Sequence, residues 1–552
     1  MSETSQKGHP KGLYLLFATE MWERFNFYGM RAILTLFLVN ALRLSDSESA
    51  VVYGGFLGLC YLTPMLGGFV ADRFLGNRSC IQIGGLTMGL GQLLLFFSAM
   101  IYASNLELAR TIMWIALGVI VLGNGFFKPN ISSMVGSLYP KGSNKLDAAF
   151  TIFYMGINLG AFIGMNVCSI VGDVKDHDGV RDIAAFKWGF LAASLAMVLG
   201  VLIFTIGKNK FIITPEGKAI GARPSKHGHD GHVEQAKFSS SAVGFAVVAM
   251  VALMAVFHFV FGQNWIYSFI YSSGLSLAGL ILTDKTLKKE ERDRIWVIYI
   301  IGFFVIFFWA CFEQAGSSLT IIADKQTDTN LFGWQMPPSL VQNFNSIFVI
   351  LLAPVFSLLW VALAKRNAEP ISPVKQSIGL LFVALGYLLI AFQVKHLTGD
   401  TKLGVIWLII LYFLHTVGEL CLSPIGLSLV SKLAPQRFSS LLMGVFFLSN
   451  ASGYALAGTL GALIPPDSEK FASAAAKGID LQAILDKKIT PSADQLATLK
   501  DLKIDAAYPN FAGFDIHNLY EFFMVFVILP GIAAVLLYFL SFRLKKMMHG
   551  IR

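Results

Sequence analysis

The residues of this chain best suited to chemistry are charged side chains set inside apolar runs. In TEMWERFNFYGMRAILTLF (residues 19–37), Glu20, Glu23, Arg24, Phe27, Tyr28 and Arg31 fall at i, i+3, i+4, i+7, i+8 and i+11. That spacing is one face of a helix, so two carboxylates, two guanidinium groups and a phenol share a stripe that cannot face lipid. Lys128, in GNGFFKPN, lies thirteen residues from Lys141, about 20 Å along a helix. Glu419, in HTVGELCLSP, is thirteen residues from Lys432 and seventeen from Lys402, and Glu313, in FWACFEQAGSS, is eleven from Asp324 with Trp309 one turn before it. None of these three reaches an interface by stretching its stem. Each must line a cavity or pair with charges on other helices.

The carboxylates Glu20, Glu23, Glu313 and Glu419 outnumber the cations Arg24, Arg31 and Lys128 by one. A bound proton would neutralise the surplus. A buried carboxylate that exchanges one cationic partner for another binds and releases a proton as its surroundings change, which is the physics of proton coupling. The plain alternative is an ion cluster that only pins helices together, although a structural seam could use small residues without burying charge. No HExxH, nucleophile–base pair or metal cluster is present, and a membrane-embedded enzyme is not expected.

The elements that must hold these residues are membrane spans. Of 552 residues 55% are apolar and 14% charged, with a mean hydropathy of +0.64. Soluble domains carry about 25% charged residues, so a nucleic-acid binder, a disordered chain and an ordinary cytosolic enzyme are excluded. A span needs roughly 20 apolar residues. Such segments lie near 13–41, 50–71, 80–103, 111–138, 147–171 and 186–207, then 242–262 and 265–283, then 294–318, 340–364, 374–394, 404–431, 439–464 and 518–542. This is an all-α polytopic membrane protein of fourteen helices, grouped six, two and six. The division expected is 1–207 for the first bundle, 208–292 for a linker and two further spans, and 293–552 for the second bundle with a long loop at 465–516.

The net charge of +9 is concentrated in alternate loops. Lys7, Lys11, Arg73, Arg78, Lys141, Lys145, Lys365, Arg366, Lys375, Lys432, Arg437 and the tail Arg543, Lys545, Lys546 and Arg552 share one side, while Asp46, Glu48, Asp173, Asp176 and Asp178 occupy the other. Both termini are therefore expected in the cytoplasm, and no cleavable signal peptide is read at the N-terminus. The HGHDGH run holding His227, His229 and His232 reads as a solvated linker in preference to a metal site. In the loop, Pro491-Ser492 followed by Ala493, Leu496, Leu499 and Leu502 reads as a short capped helix. The scattered Cys60, Cys80, Cys168, Cys311 and Cys421 suggest neither disulfides nor metal binding.

Other positions concern packing. Gly156, Gly160 and Gly164 in MGINLGAFIGM are spaced for a close helix crossing. Asn158 in that run either bonds across helices or faces a ligand. Tyr61 and Tyr154 are ordinarily packing residues whose hydroxyls need partners. In GGFVADRFLGNR (67–78), Asp72 and Arg73 sit at the cytoplasmic end of the second span.

With these residues in view the chain resembles a known family. Residues 20–29, Glu20-Met-Trp-Glu23-Arg24-Phe25-Asn26-Phe27-Tyr28-Gly29, resemble the ExxERFxYYG motif of the proton-dependent oligopeptide transporters (POT/PTR), within the major facilitator superfamily. Residues 67–78 resemble that superfamily's loop motif, and GFFKPNISSMVGSLY, FYMGINLGAFIG and GELCLSPIGLSLVSKLAP are similar to further family blocks. The resemblance implies a major facilitator fold with two extra helices, as in bacterial members, and symport of di- and tripeptides with protons by alternating access. It implies proton coupling through Glu20, Glu23, Arg24 and Glu313, and a peptide carboxylate held by Arg24, Arg31 and Lys128 with Tyr28. It implies an amino terminus received by Glu419 with Asn158 and Asn345, Ser423 lying one turn further along. Tyr61, Tyr154, Trp309 and Phe446 would shape the side-chain pockets, and Arg31 with Glu313 and Lys128 with Glu419 would form bridges that break during transport.

The departures are Phe27 in place of the first tyrosine of YYG, Phe312 where some relatives have a second glutamate, and Phe446 where some have tryptophan. They bear on substrate size and leave the charge framework intact. The partners expected are short peptides, protons and the lipid bilayer of the bacterial inner membrane. No nucleic acid is expected, no cofactor beyond the proton, and a monomer suffices. The rival reading is a carrier of nitrate or a drug-like anion on the same fold; nitrate needs no amine receptor, which Glu419 supplies.

Overall fold

A computed structural model describes residues 8–139, 145–176, 179–214, 217–223, 238–395, 397 and 401–551, without the side chains of 146, 147, 423–425 and 427. Lys7, Lys141, Asp178, His227, His229, His232 and Arg552 lie outside the described residues, and the side chain of Ser423 is likewise not described. Twelve stretches among the described residues are long and apolar enough to cross a membrane. One of them, Asp46–Ile101, is 56 residues long and holds two spans. The first helix stands outside this set because of the charges along it, and with it the fourteen expected spans are present.

The chain forms two compact units. One comprises Met1–Phe37 and Leu59–His232, the other Leu38–Gly58 and Val233–Arg552. In the first unit run α1 (Lys11–Asn40), the end of α2 (Asp46–Leu62), α3 (Pro64–Val70), α4 (Gly76–Ile101), α5 (Leu106–Ser137), α6 (Leu146–Gly172) and α7 (Phe186–Phe211). The expected single span 50–71 is interrupted. Thr63 breaks it, and Pro64, which lacks an N–H and suits a first turn, restarts it as α3. Thr63 Oγ1 contacts the carbonyls of Leu59 and Val121 at 3.1 and 3.0 Å, fixing the break against α5. A π turn, Ala71–Leu75, then carries Asp72 and Arg73 and ends at Gly76, whose φ of +74° suits only glycine well.

The seam between α1 and α6 is built on the expected glycines. A Cβ on Gly156 would meet the Phe17 ring, one on Gly160 the Met21 carbonyl, and one on Gly164 the Phe25 backbone. Backbone cannot step aside as a side chain can, so Gly160→Leu is expected to destabilise by about 3 kcal/mol, the upper end for overpacking. Thermal unfolding followed by tryptophan fluorescence checks this against Gly118→Leu, at an exposed glycine where an added Cβ meets nothing within 4 Å and little change is expected.

The second unit holds the remaining helices: α8 (Ser240–Phe259), α9 (Trp265–Leu282), α10 (Lys289–Phe312), α11 (Ser318–Lys325), α12 (Phe344–Lys365), α13 (Ser372–Val394), α14 (Val405–Leu433), α15 (Ser439–Gly461), α16 (Ser468–Ala475), α17 (Leu481–Leu485), α18 (Ala493–Asp501) and α19 (Leu519–Met547). Helices α8 and α9 form a hairpin turned at Gly262, with φ of +66°; no residue of α8 is buried, as suits a helix facing lipid. The expected span 294–318 is not one helix. Helix α10 ends at Phe312, a 3₁₀ turn Glu313–Gly316 follows, and α11 continues. Likewise a 3₁₀ segment, Pro338–Asn343, precedes α12 where 340–364 was expected to be uniform.

The loop 465–516 is a folded element with more structure than one capped helix. Ser492 and Gln495 form the capping box of α18, while α16 and α17 start on Asp467 and Asp480 caps. Leu481, Ile484, Leu485, Leu499 and Ile504 give the loop its own core. Short pairs complete the unit: β1 (Thr327–Asp328), β2 (Asn330–Leu331), β3 (Trp334–Gln335), β4 (Leu403–Gly404), β5 (Asn510–Phe511) and β6 (Phe514–Asp515), paired β1–β4, β2–β3 and β5–β6. The stretch Leu38–Gly58 is pinned within this unit. Asp46 meets Lys325 at 3.0 Å and Lys470 at 2.7 Å, and Tyr267 donates to the Val51 carbonyl at 2.9 Å.

Candidate functional site

The first unit's set centres on α1. Its polar stripe is buried: Glu20, Glu23, Arg24, Phe27 and Arg31 are each at most 9% exposed. Arg24 Nε donates to Glu20 Oε1 at 2.7 Å, one turn away, and lies 3.0 Å from Glu23 Oε2. Neither Glu23 oxygen accepts a hydrogen bond, and Glu20 Oε2 accepts none either. The pairing is local to one helix, so the geometry follows from the i, i+3, i+4 spacing alone.

On the opposite side of α1, Asn26 Nδ2 donates to the Ala193 carbonyl of α7 at 2.8 Å. Arg31 lies 5.2 Å from the Tyr28 ring, and Lys128 Nζ 3.7 Å from the Tyr61 ring; both are cation–π distances. Lys128 also lies within electrostatic reach of Arg24, Tyr28 and Glu23. It is held on α5 one residue before Pro129, a proline inside the helix. Asn158 makes no side-chain bond across helices among the described residues. Half-exposed, it bonds back to its own helix at the Tyr154 carbonyl, 3.0 Å away, because an amide four residues after a carbonyl reaches it without leaving the turn. Tyr154 itself is 43% exposed and so is not a packing residue of the interior.

In the second unit Asn345 of α12 bridges to α14. Its Nδ2 donates to Glu419 Oε2 and to Thr416 Oγ1, both at 3.0 Å. Glu313 is buried at the first position of the 3₁₀ turn that follows α10, where the helix is already broken. Trp309, one turn earlier, packs against Phe312 and Tyr454 with ring centroids 5.5 and 5.7 Å apart. Phe446 is buried with its ring on Gly426, so it supports α14 and presents little surface.

Sequence reasoning passed over His415, one turn before Glu419. It is 1% exposed, its ring 4.7 Å from Tyr387 and 6.1 Å from Phe312, and its Nε2 has no hydrogen-bond partner. The available signal was a histidine in the middle of an apolar run. Among the described residues no group of three or more His, Cys, Asp or Glu side chains is placed to hold a metal ion.

In charge, the first unit presents three cations (Arg24, Arg31, Lys128) against two carboxylates (Glu20, Glu23), and the second presents the carboxylates Glu313 and Glu419. Comparison with known proteins bears on what such a set serves. The model of the POT family matches residues 78–474. The chain belongs to the POT family.

This POT-family chain is 33% identical over 478 residues to a peptide transporter of Yersinia enterocolitica, covering 83% of this chain and 89% of the relative. It is 31% identical over 471 residues to a di-/tripeptide transporter of Lactococcus lactis, covering 81% and 88% respectively. A solved POT family transporter in complex with 5-aminolevulinic acid superposes with a TM-score of 0.72 at 27% identity, covering 99% of both chains. A peptide transporter POT in complex with alafosfalin does so with 0.71 at 28% identity, covering 99% of this chain and 98% of that one. The fold is therefore that of the POT transporters, a multi-pass all-α membrane architecture. The family match begins at residue 78, so the charged stripe of α1 lies ahead of it.

Proposed function

We propose that this POT-family protein imports di- and tripeptides in symport with protons by alternating access. The observation that carries the reading is Glu419, a half-buried carboxylate in a membrane helix whose Oε2 is oriented by the neutral Asn345 amide. A carboxylate so placed suits the ammonium end of a short zwitterion, and Arg24, Arg31 and Lys128 suit its carboxylate end. Reading the two ends instead of the side chains permits broad specificity. Tyr28, Tyr61, Tyr154 and Trp309 then serve as walls, and Glu20, Glu23, Arg24 and Glu313 as the coupling set. The matched relatives named as peptide and di-/tripeptide transporters support the substrate class.

The coupling ion is the proton, no further cofactor is invoked, and no chemical transformation is assigned. A monomer suffices. The bacterial origin of the matched relatives favours the inner membrane, and the Lys- and Arg-rich loops favour both termini in the cytoplasm.

Uptake of labelled dialanine into proteoliposomes, with and without an inward proton gradient, tests the reading. Gradient-driven accumulation is expected for the wild type and a loss of more than about tenfold for Glu419→Gln, since about 1.4 kcal/mol of amine binding is one decade. Absence of dipeptide uptake by folded protein, with uptake of nitrate or a drug-like anion in its place, would overturn the substrate assignment.

A further inference from the structure

Between α10 and α19, on the side of the loop 465–516, lies an apolar groove of about 860 Å³. Its walls are Phe303, Phe307, Ile528, Ile532 and Leu536, and the β5–β6 hairpin roofs it with Phe511 and Phe514. Both helices are membrane spans, and Phe303, Ile528, Ile532 and Leu536, each more than half exposed, open the groove toward lipid. From Tyr520 to Leu536 the groove follows α19 for about 24 Å, more than the roughly 15 Å of one leaflet's hydrocarbon. That length accommodates an acyl chain.

The mouth of the groove is polar. Asp515, His517 and Glu521 stand there. Asp515 Oδ1 accepts from Asn510 Nδ2 at 2.8 Å, and Lys487 Nζ approaches Oδ2 at 3.5 Å. The Asn510 hydrogen bond and the Lys487 charge hold the Asp515 carboxyl below the usual carboxylate range, so it is ionised at neutral pH. Glu521 Oε2 accepts from the His517 backbone N–H and contacts its Nδ1, both at 2.8 Å, and Oε1 accepts from Asn518 Nδ2 at 3.1 Å. Two carboxylates thus face one lysine and one histidine.

The position of this mouth relative to the bilayer follows from the hairpin. Ala512 and Gly513 turn it with φ of +52° and +91°, and Asn510 accepts from the Gly513 N–H at 3.0 Å. A second hairpin of the same build, β2–β3, turns at Phe332 and Gly333 with φ of +53° and +88°, and Asn330 accepts from the Gly333 N–H. Phe332 is 99% exposed, and Trp334 and Phe514 are also exposed. Rigid turns that present aromatic side chains at the ends of spans suit the membrane–water interface. Asp515 and Glu521 lie beside the first turn of α19, at one end of that span.

We propose that this groove is a site for a phospholipid whose headgroup ends in a free ammonium. One acyl chain lies between α10 and α19 beneath Phe511 and Phe514, and the ammonium donates to the Asp515 and Glu521 carboxylates. A quaternary headgroup has no N–H to donate, and an anionic one meets two carboxylates against the single Lys487.

The test is native mass spectrometry of the full-length protein, delipidated and then given equal amounts of palmitoyl-oleoyl phosphatidylethanolamine, phosphatidylcholine and phosphatidylglycerol. Retention of phosphatidylethanolamine is expected to exceed the other two by at least about tenfold, the factor one charge-assisted hydrogen bond supplies. The D515N/E521Q double variant is expected to keep binding lipid with that preference gone, and Ile532→Trp to retain less of all three. On the wild-type protein alone, the mono-, di- and trimethylated series of the ethanolamine headgroup is expected to bind progressively less as N–H donors are lost. Equal retention of the three lipids, a flat methylation series, or a preference that survives D515N/E521Q would each overturn the site.

Discussion

Arg24→Ala is expected to be the most damaging single substitution in α1. It removes the only cation within ion-pair distance of Glu20 and Glu23 among the described residues and leaves two nearly inaccessible carboxylates one turn apart. Breaking a buried pair by deleting one partner costs about 3–5 kcal/mol, because the charge left behind has lost both water and counter-charge. Here two charges are stranded, which places the effect at the upper end. Arg24→Lys keeps the charge but loses the fixed Nε–H that stands within 3.0 Å of both carboxylates, so part of the loss should return. Thermal unfolding of the purified wild type and both variants measures this. A loss below about 1 kcal/mol for Arg24→Ala, the scale of a solvated pair, would mean that water reaches the cluster.

Glu23→Gln should separate transport from its driving force. Glu20 already commits one oxygen to Arg24 in a 2.7 Å hydrogen bond. Glu23 touches Arg24 at 3.0 Å without a hydrogen bond to either oxygen. A proton can therefore be added to Glu23 without breaking a hydrogen bond, and glutamine fills the same volume while fixing the neutral form. Accumulation of labelled dipeptide against its gradient is expected to fall by more than about tenfold, equivalent to about 1.4 kcal/mol of lost coupling. Exchange of internal for external peptide should stay within about twofold, a shift of about 0.4 kcal/mol. Equal loss of both activities would assign Glu23 to substrate binding, and retention of both would move the proton elsewhere.

Much of this architecture was legible because its determinants are local. Spans announce themselves by the length of their apolar runs, and the stripe from Glu20 to Arg31 could be read from helical periodicity because its ion pairs close within one turn. The glycine seam at 156, 160 and 164 was readable for the same reason, although its partners Phe17, Met21 and Phe25 were not. Interruptions were harder. Pro64 is an explicit signal, whereas Gly316, at the end of the 3₁₀ turn that starts at Glu313, is a weaker one, because a glycine in an apolar run also serves close helix packing. Long-range pairs left no trace at all: Asp46 meets Lys325 and Lys470 across 279 and 424 residues. In the loop 465–516, Ser492 and Gln495 gave a complete capping box. Asp467 and Asp480, lone caps ahead of short helices, did not stand out. The i−4 backbone bond of Asn158, made in place of one across helices, could not be read from the residue type alone.

That the cluster on α1 is closed within a single helix bears on how the chain is made. A charge at the centre of a span raises the free energy of insertion by about 2.5–3.5 kcal/mol, and α1 carries four. Helix α6, whose glycines receive it, ends 132 residues after Asn40, so at ordinary rates of synthesis it leaves the ribosome on the order of ten seconds later. During that interval nothing from α6 can shield Glu20, Glu23 or Arg24. Their mutual pairing, with Arg31 balancing the formal count, lets α1 enter the bilayer electrically neutral and ahead of its packing partner. A counter-charge on α6 would have sent the first helix in bare.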